Sequence, residues 1–309
     1  MNDKVKQLLD NMEKIIVGKR PVLDRLLVAL LSDGHVLIED VPGVGKTQIV
    51  ATLARSVNGI FHRIQFTPDV MPSDIMGFSM FNPATREFEY REGAAMCNFL
   101  LADEINRTSP KTQSSLLEIM EEFQVTVDRN TYQLPRPFMV LATQNPIESF
   151  GTYPLPEAQM DRFFLKLSIG YPDKDGEKII LDRFGSQNPL NELTPVSSTD
   201  DLIQLQNEVK KVNIEECLKT YIIEIVEATR NSGDVVLGCS PRGSLNLYRA
   251  AKAWAFIKGR DYVTPDDIQE MAKPVLAHRI IMSSGAKMKG MTAEDAVDEA
   301  VAKTKVPAF

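Results

Sequence analysis

The stretch Val36 to Thr47, VLIEDVPGVGKT, constrains this chain more than any other. Val36 to Glu39 is a run of mixed β-formers that leads into a loop rich in proline and glycine. The loop ends in Gly45-Lys46-Thr47 at the head of a helix. Strand, loop and helix N-terminus in that order are the parts of a phosphate-binding loop, whose pattern is Gly, four residues, Gly-Lys-Ser/Thr. The first pattern position holds Asp40 instead of glycine. Gly43 and Gly45 have no Cβ, so the loop can still turn several backbone N–H groups toward one anion. In such a loop Lys46 reaches the β/γ-phosphates and Thr47 ligates Mg²⁺. A plain strand–turn–helix connection has the same outline, so the rest of the chain has to decide.

Size and charge narrow the choice. A chain of 309 residues with 43% hydrophobic content fits one large or two ordinary domains around a real core. The net charge of −7 gives no electrostatic footprint for an obligate nucleic-acid partner. Cys97, Cys217 and Cys239 are odd in number, widely spaced and free of any CxxC pair, which reads as reduced cytosolic thiols. His35, His62 and His278 are equally scattered and read as structural, since a metal site needs convergent ligands. The N-terminal MNDKVKQLLD has no apolar signal core, and no apolar run approaches the ~18 residues that span a bilayer. The expectation is a cytoplasmic protein.

Taken in order, Val5 to Ile16 follows helical spacing after a cap at Asn2 or Asp3, and Val17-Gly18 breaks it. Pro21 opens a second helix that Gly34 ends. The helix after the loop stops at Asn58-Gly59, and Ile60 to Phe66 reads as a second strand. Residues 67 to 93 are irregular, with a hairpin predicted around Asn82-Pro83-Ala84-Thr85. Asn98 to Ala102 and Phe138 to Thr143 are apolar runs suited to strands buried on both faces. Between them lie a helix capped by Ser109-Pro110 and a second hairpin around Asp128-Arg129-Asn130. Glu157 to Arg162 should be a short helix and Phe163 to Ile169 a fifth strand. After Tyr171 to Asp173 the pattern turns to helices only, over Asp173–Phe184, Asp200–Lys211, Glu215–Asn231, Pro241–Lys258 and Pro265–Ile281, with fraying from Thr304. The expected fold class is α/β, with a nucleotide domain at 1–172 and an α-helical domain at 173–309.

Phosphoryl transfer asks a protein for positioning and charge stabilisation, supplied at the C-terminal ends of parallel strands. Asp103 closes one apolar strand, where a carboxylate can hold Mg²⁺ in the outer shell. Glu104, one residue on, can polarise the attacking water. Asn145, after the next apolar strand, has an amide able to bond both water and γ-phosphate. Arg162 either pairs locally with an acid such as Asp161 or projects into a neighbouring subunit's site. Arg242, second in a capped helix, sits where a lid can bring its fork to phosphate oxygens, or makes an ordinary surface ion pair. Spacing alone does not choose.

VPGVGKT, FLLADEINR (Phe99 to Arg107), ATQNP (Ala142 to Pro146), GTYPLPEAQMDRF (Gly151 to Phe163) and SPR (Ser240 to Arg242) together resemble the MoxR family of AAA+ ATPases over nearly the whole chain. The resemblance implies a P-loop NTPase core with a five-stranded parallel sheet of order 5-1-4-3-2, a smaller helical lid, and ATP hydrolysis with Mg²⁺. It also implies a homo-oligomeric, typically hexameric, ring. By similarity Pro42, Gly43, Val44, Gly45, Lys46, Thr47 and Gln48 hold the phosphates, Thr47 and Asp103 serve the metal, and Glu104 serves the water. Asn145 is then the first sensor, Arg162 the finger and Arg242 the second sensor. Ile16, Val17 and Gly18 lie beside the adenine, and both hairpins face the ring pore. Arg107 is a rival finger close to the acids. Asp40 and Gly93 to Asn98 depart from the family's usual residues.

The leading function is a chaperone-like ATPase that remodels or matures client proteins, commonly ones bearing von Willebrand factor A domains. An ATP-gated assembly switch with little turnover is the second reading, and a DNA-remodelling motor, disfavoured by the charge, the third. No Asn-Lys-x-Asp guanine reader is present.

Overall fold

The computed structural model describes residues 2–144, 152–185 and 188–307. Five short strands share one parallel sheet: β1 (Val36–Glu39), β2 (Phe61–Gln65), β3 (Phe99–Asp103), β4 (Met139–Gln144) and β5 (Leu165–Leu167). Across the sheet they run β2-β3-β4-β1-β5, which is the expected 5-1-4-3-2 counted from the opposite edge. The apolar runs of β3 and β4 lie at interior positions, and Phe99 to Ala102 and Met139 to Ala142 are almost wholly buried. A strand covered on both faces has no polar alternation, which is why these two read as continuous hydrophobic runs.

Alternation still sorts the side chains between two apolar layers. Val36, Ile38, Leu101 and Leu141 pack with the helices Asp3–Glu13, Arg20–Leu31 and Lys46–Ser56. Leu37, Leu100, Ala102 and Val140 pack on the other face, against the helix Pro110–Glu122. The first helix is capped by Asn2, whose side chain accepts from the Lys4 N–H at 3.0 Å. It stops at Glu13, short of the expected Ile16, while Ile15 and Ile16 stay buried as the chain turns toward the loop.

Both hairpins form. Gly77–Asn82 pairs with Glu87–Glu92 after a short helix, Pro72–Met76, and Gln124–Val127 pairs with Asn130–Gln133. The Tyr90 ring of the first stacks on Tyr132 of the second, with centroids 3.9 Å apart and planes within 13°. The Tyr90 hydroxyl also donates to the Met76 carbonyl at 2.6 Å.

The C-terminal part carries the helices Lys174–Phe184, Thr199–Val209, Glu216–Arg230, Pro241–Ile257 and Pro265–Leu276, close to expectation. It is not purely helical, however. Val235–Leu237 and Ile281–Met282 form a small antiparallel ladder, too short to leave a periodic signal. The helix expected to reach Ile281 stops at Leu276 and tightens into a 3-10 turn, Ala277–Arg279. A further helix, Ala293–Lys303, was not among the expected elements; a Thr292-x-x-Asp295 capping box starts it. Among the described residues no helix is long and apolar enough to cross a membrane.

Candidate nucleotide-binding site

The sheet order sets the site. Parallel pairing aligns Glu39 with Gln144, Ala102 with Ala142, and Gln65 with Asp103. The loop after β1, the end of β4 and the acids after β3 therefore line one edge, the C-terminal edge where open parallel sheets receive ligands. Asn145 lies outside the described residues, but the strand leading to it does run between β1 and β3.

Within the loop, Gly43 (φ 87°) and Gly45 (φ 90°) are left-handed, and a Cβ built on either would meet no atom within 4 Å. Conformation, not crowding, selects glycine here. Gly45 is also the N-cap of Lys46–Ser56, so Lys46 and Thr47 start the helix whose positive end faces the loop. The Lys46 ammonium donates to the Asp40 carbonyl at 2.8 Å.

Asp40, which breaks the strict motif, is buried and structural. Its carboxylate accepts from the N–H groups of Ile169 and Gly170 (2.9 Å for the latter), from the Ser168 hydroxyl at 3.3 Å and from the Val41 N–H at 3.1 Å. The start of the loop is thus sewn to the chain leaving β5, and a glycine could not make these bonds.

Beside the loop opens a cavity of about 510 Å³, lined by Ile16, Val17, Val44, Gln48, Tyr171 and Phe184 among others. It pairs an apolar slot with a cradle of backbone N–H groups. The buried side-chain oxygen of Gln48 has no hydrogen-bond partner among the described residues. An apolar wall, an orphaned acceptor and an anion cradle fit a purine nucleotide, and the Thr47 hydroxyl and Asp103 carboxylate are donors of the kind a hard cation takes.

The acids are held by neighbours that spacing did not single out. Asp103 accepts from the Thr143 hydroxyl at 2.6 Å and pairs with Arg63 at 2.6 Å. Thr143 in turn accepts from the Glu104 N–H at 2.8 Å. Glu104 adopts a left-handed backbone (φ 59°, ψ 51°), and its carboxylate accepts from Gln65 at 2.7 Å and pairs with Arg107 at 3.1 Å. Arg63 and Gln65 are two apart on β2, so they share one face of the sheet, with β3 paired alongside. Their period-two spacing was visible; that β2 lies beside β3 had to come from the topology.

Arg162 and Arg242 are not among the residues lining that cavity. They meet each other instead, at Glu121: one carboxylate oxygen lies 3.1 Å from Arg162 and the other contacts Arg242. Arg162 also donates to the Leu117 carbonyl at 2.9 Å. Beneath them, Asp161 accepts from Arg279 Nε at 2.9 Å and from the Ser240 hydroxyl at 2.9 Å. Ser240 caps the helix carrying Arg242, so one carboxylate ties the DRF segment to the SPR segment. The Arg279 side chain is 1% exposed and bonds the carbonyls of Asp161, Phe163, Phe164 and Val275. Burial lowers its pKa while Asp161 opposes the shift. No local motif marks Glu121 or Arg279, and Asp161, though within the DRF segment, was considered only as a local partner of Arg162; the partners of all three lie far along the chain.

His35 bridges helix and sheet as a neutral ring, with Nε2 2.9 Å from the Met120 carbonyl and Nδ1 accepting from the Val140 N–H at 3.0 Å. Burial pushes its pKa down to about 4, and His278 is lowered for the same reason. Burial raises the thiols of Cys97 and Cys239 to about 12 and about 11, so both stay protonated.

Known proteins give a concordant picture. Residues 35–165 match the family described as ATPase family associated with various cellular activities (AAA), and residues 227–300 match the AAA lid domain. YeaC of Bacillus subtilis is 53% identical over 97% of this chain and 93% of its own. Chaperone MoxR1 of Mycobacterium tuberculosis is 43% identical over 96% of this chain and 80% of its own. The crystal structure of a Cytophaga hutchinsonii protein described as a candidate ATPase superposes with a TM-score of 0.93 at 42% identity, covering 99% of this chain and 96% of that one. With these motifs, this sheet order and these relatives, the chain belongs to the MoxR family of AAA ATPases.

Proposed function

We propose that this chain is a Mg²⁺-dependent ATP hydrolase that works as a cytoplasmic homo-oligomeric ring, a hexamer by family resemblance. On this reading it remodels or matures client proteins, among them proteins with von Willebrand factor A domains. The observation that carries the proposal is the separation of two half-sites. The loop and acids share one strand edge, while Arg162 and Arg242 converge elsewhere on Glu121, away from that cavity. Phosphoryl transfer needs both sets of groups at one phosphate, and two protomers bring them together.

In this reading Pro42 to Gln48 cradle the phosphates, Lys46 leaves the Asp40 carbonyl for the β/γ-oxygens, and Val17 and Gly18 flank the base. Thr47 and Asp103 hold Mg²⁺, which supplies charge neutralisation on the phosphate oxygens. Glu104 takes the proton of the attacking water and Asn145 orients that water. Arg162 and Arg242 stabilise the transition state on the neighbour's nucleotide, a contribution of about 10³–10⁵ in rate for a finger of this kind. The nucleotide domain covers 1–172 and the lid 173–309.

An ATP-gated assembly switch with little turnover has one observation in its favour. Asp103 and Glu104 are already engaged by Arg63, Gln65 and Arg107. Two variants separate the readings. Lys46→Ala should lose ATP binding, and Glu104→Gln should bind ATP but stop hydrolysing it. Wild-type turnover in Glu104→Gln, measured on assembled protein, would refute the water-activating role. Negligible turnover in the assembled wild type would favour the switch. A pull-down with Glu104→Gln in ATP should retain the client that Lys46→Ala does not.

A further inference from the structure

We propose that Glu121 is a built-in stand-in for the phosphate of a neighbouring protomer's nucleotide. It holds Arg162 and Arg242 as one two-guanidinium fork and yields them when that phosphate arrives. The inference rests on the reading above that both arginines act across a subunit boundary.

Three observations carry it. First, the two guanidiniums engage different oxygens of one carboxylate, Oε2 with Arg162 and Oε1 with Arg242. Two cations converging on separate oxygens of one anionic centre is the arrangement a phosphate also offers. Second, the fork has supports that do not depend on Glu121. Arg162 is anchored by the Leu117 carbonyl, and the head of the Arg242 helix by Ser240 and Asp161. Removing the Glu121 charge therefore leaves the scaffold in place.

Third, the two acids of this region are built differently. Asp161 is 22% exposed and locked to an arginine that is 1% exposed, so it serves as a fixed strut. Glu121 is 36% exposed, at the last turn of its helix, and its partners are 30% and 40% exposed. It also edges a cleft of about 180 Å³ with Arg249 and Asn246. Its carboxylate can swing into solvent without stranding a buried charge. Exposed pairs of this kind shift equilibria only severalfold, so a triphosphate outcompetes them.

The test follows ATP-dependent assembly by sedimentation, and turnover at saturating protein, in the full chain. Glu121→Gln should lower the protein concentration for half-assembly about fivefold to tenfold and keep plateau turnover within about twofold. Glu121→Asp should return the midpoint toward wild type. In an Arg162→Ala, Arg242→Ala background the Glu121→Gln shift should vanish. An unchanged midpoint in Glu121→Gln overturns the proposal. So does a large fall in plateau turnover at an unchanged midpoint, which would make Glu121 a fixed support. If Arg162→Ala and Arg242→Ala each keep full assembly and turnover, the cross-subunit reading itself fails, whatever Glu121 does.

Discussion

Arg279 donates through Nε to Asp161 at 2.9 Å from a position that is almost wholly shielded from water. An arginine so placed is tolerated only because the carboxylate and four carbonyls satisfy it. Replacing Asp161 by alanine leaves an uncompensated buried cation, and the expected loss of stability is about 3–5 kcal/mol, read from urea unfolding. The same change also frees the cap of the Arg242 helix, so turnover of the folded fraction should fall as well. Wild-type unfolding in Asp161→Ala would show that the pair bears no weight.

Asp40→Gly restores the strict phosphate-loop pattern, yet it should harm the protein. It orphans the N–H groups of Ile169 and Gly170, and each buried donor left unpaired costs about 1–3 kcal/mol. The expected outcome is a lower unfolding midpoint with ATP affinity reduced or unchanged. Tighter ATP binding at equal stability would contradict the clamp.

Arg63→Ala removes the partner that occupies one oxygen of Asp103. Arg63 is 47% exposed, so the pair is worth about 1 kcal/mol at most. The Mg²⁺ concentration for half-maximal turnover should fall about threefold to fivefold. A rise would mean that Arg63 orients Asp103 for the metal instead of competing with it.

His35 couples stability to acid. Its folded pKa of about 4 lies below the unfolded value near 6.5, so between these the unfolded chain binds more protons. The contribution is complete above about pH 6.5 and is lost as pH falls through that window, at roughly 1.4 kcal/mol per pH unit for this group. His278 is depressed too and adds in the same direction. Urea titrations at pH 7 and pH 5 should therefore show a smaller acid loss in His35→Gln than in wild type. Equal losses would place the sensitivity elsewhere.

Much of this was legible in the residues because local rules and global fold agree there. Phe99 to Ala102 and Met139 to Ala142 are apolar because both faces are covered, and VPGVGKT has glycines where left-handed backbone is needed. What could not be read depends on pairs distant in sequence. Asp40 looked like a lost glycine because its partners, at Ser168 to Gly170, follow the adjacent strand β5 and are remote in sequence. Spacing left Arg242 either a lid-borne fork for phosphate oxygens or an ordinary surface ion pair, and its meeting with Arg162 at Glu121 joins three residues far apart in the chain. The ladder of Val235–Leu237 with Ile281–Met282 is too short for any period to show.

The stacked rings of Tyr90 and Tyr132 have a mechanical meaning. The second hairpin runs on into β4, whose far end leads to Asn145, while the first hangs from the segment between β2 and β3. One hairpin is therefore linked to the end of β4 along the chain, and the other through the touching rings. The rings tie the two hairpins to each other, and the Tyr90 hydroxyl ties the first of them to the Met76 carbonyl at the end of its preceding helix.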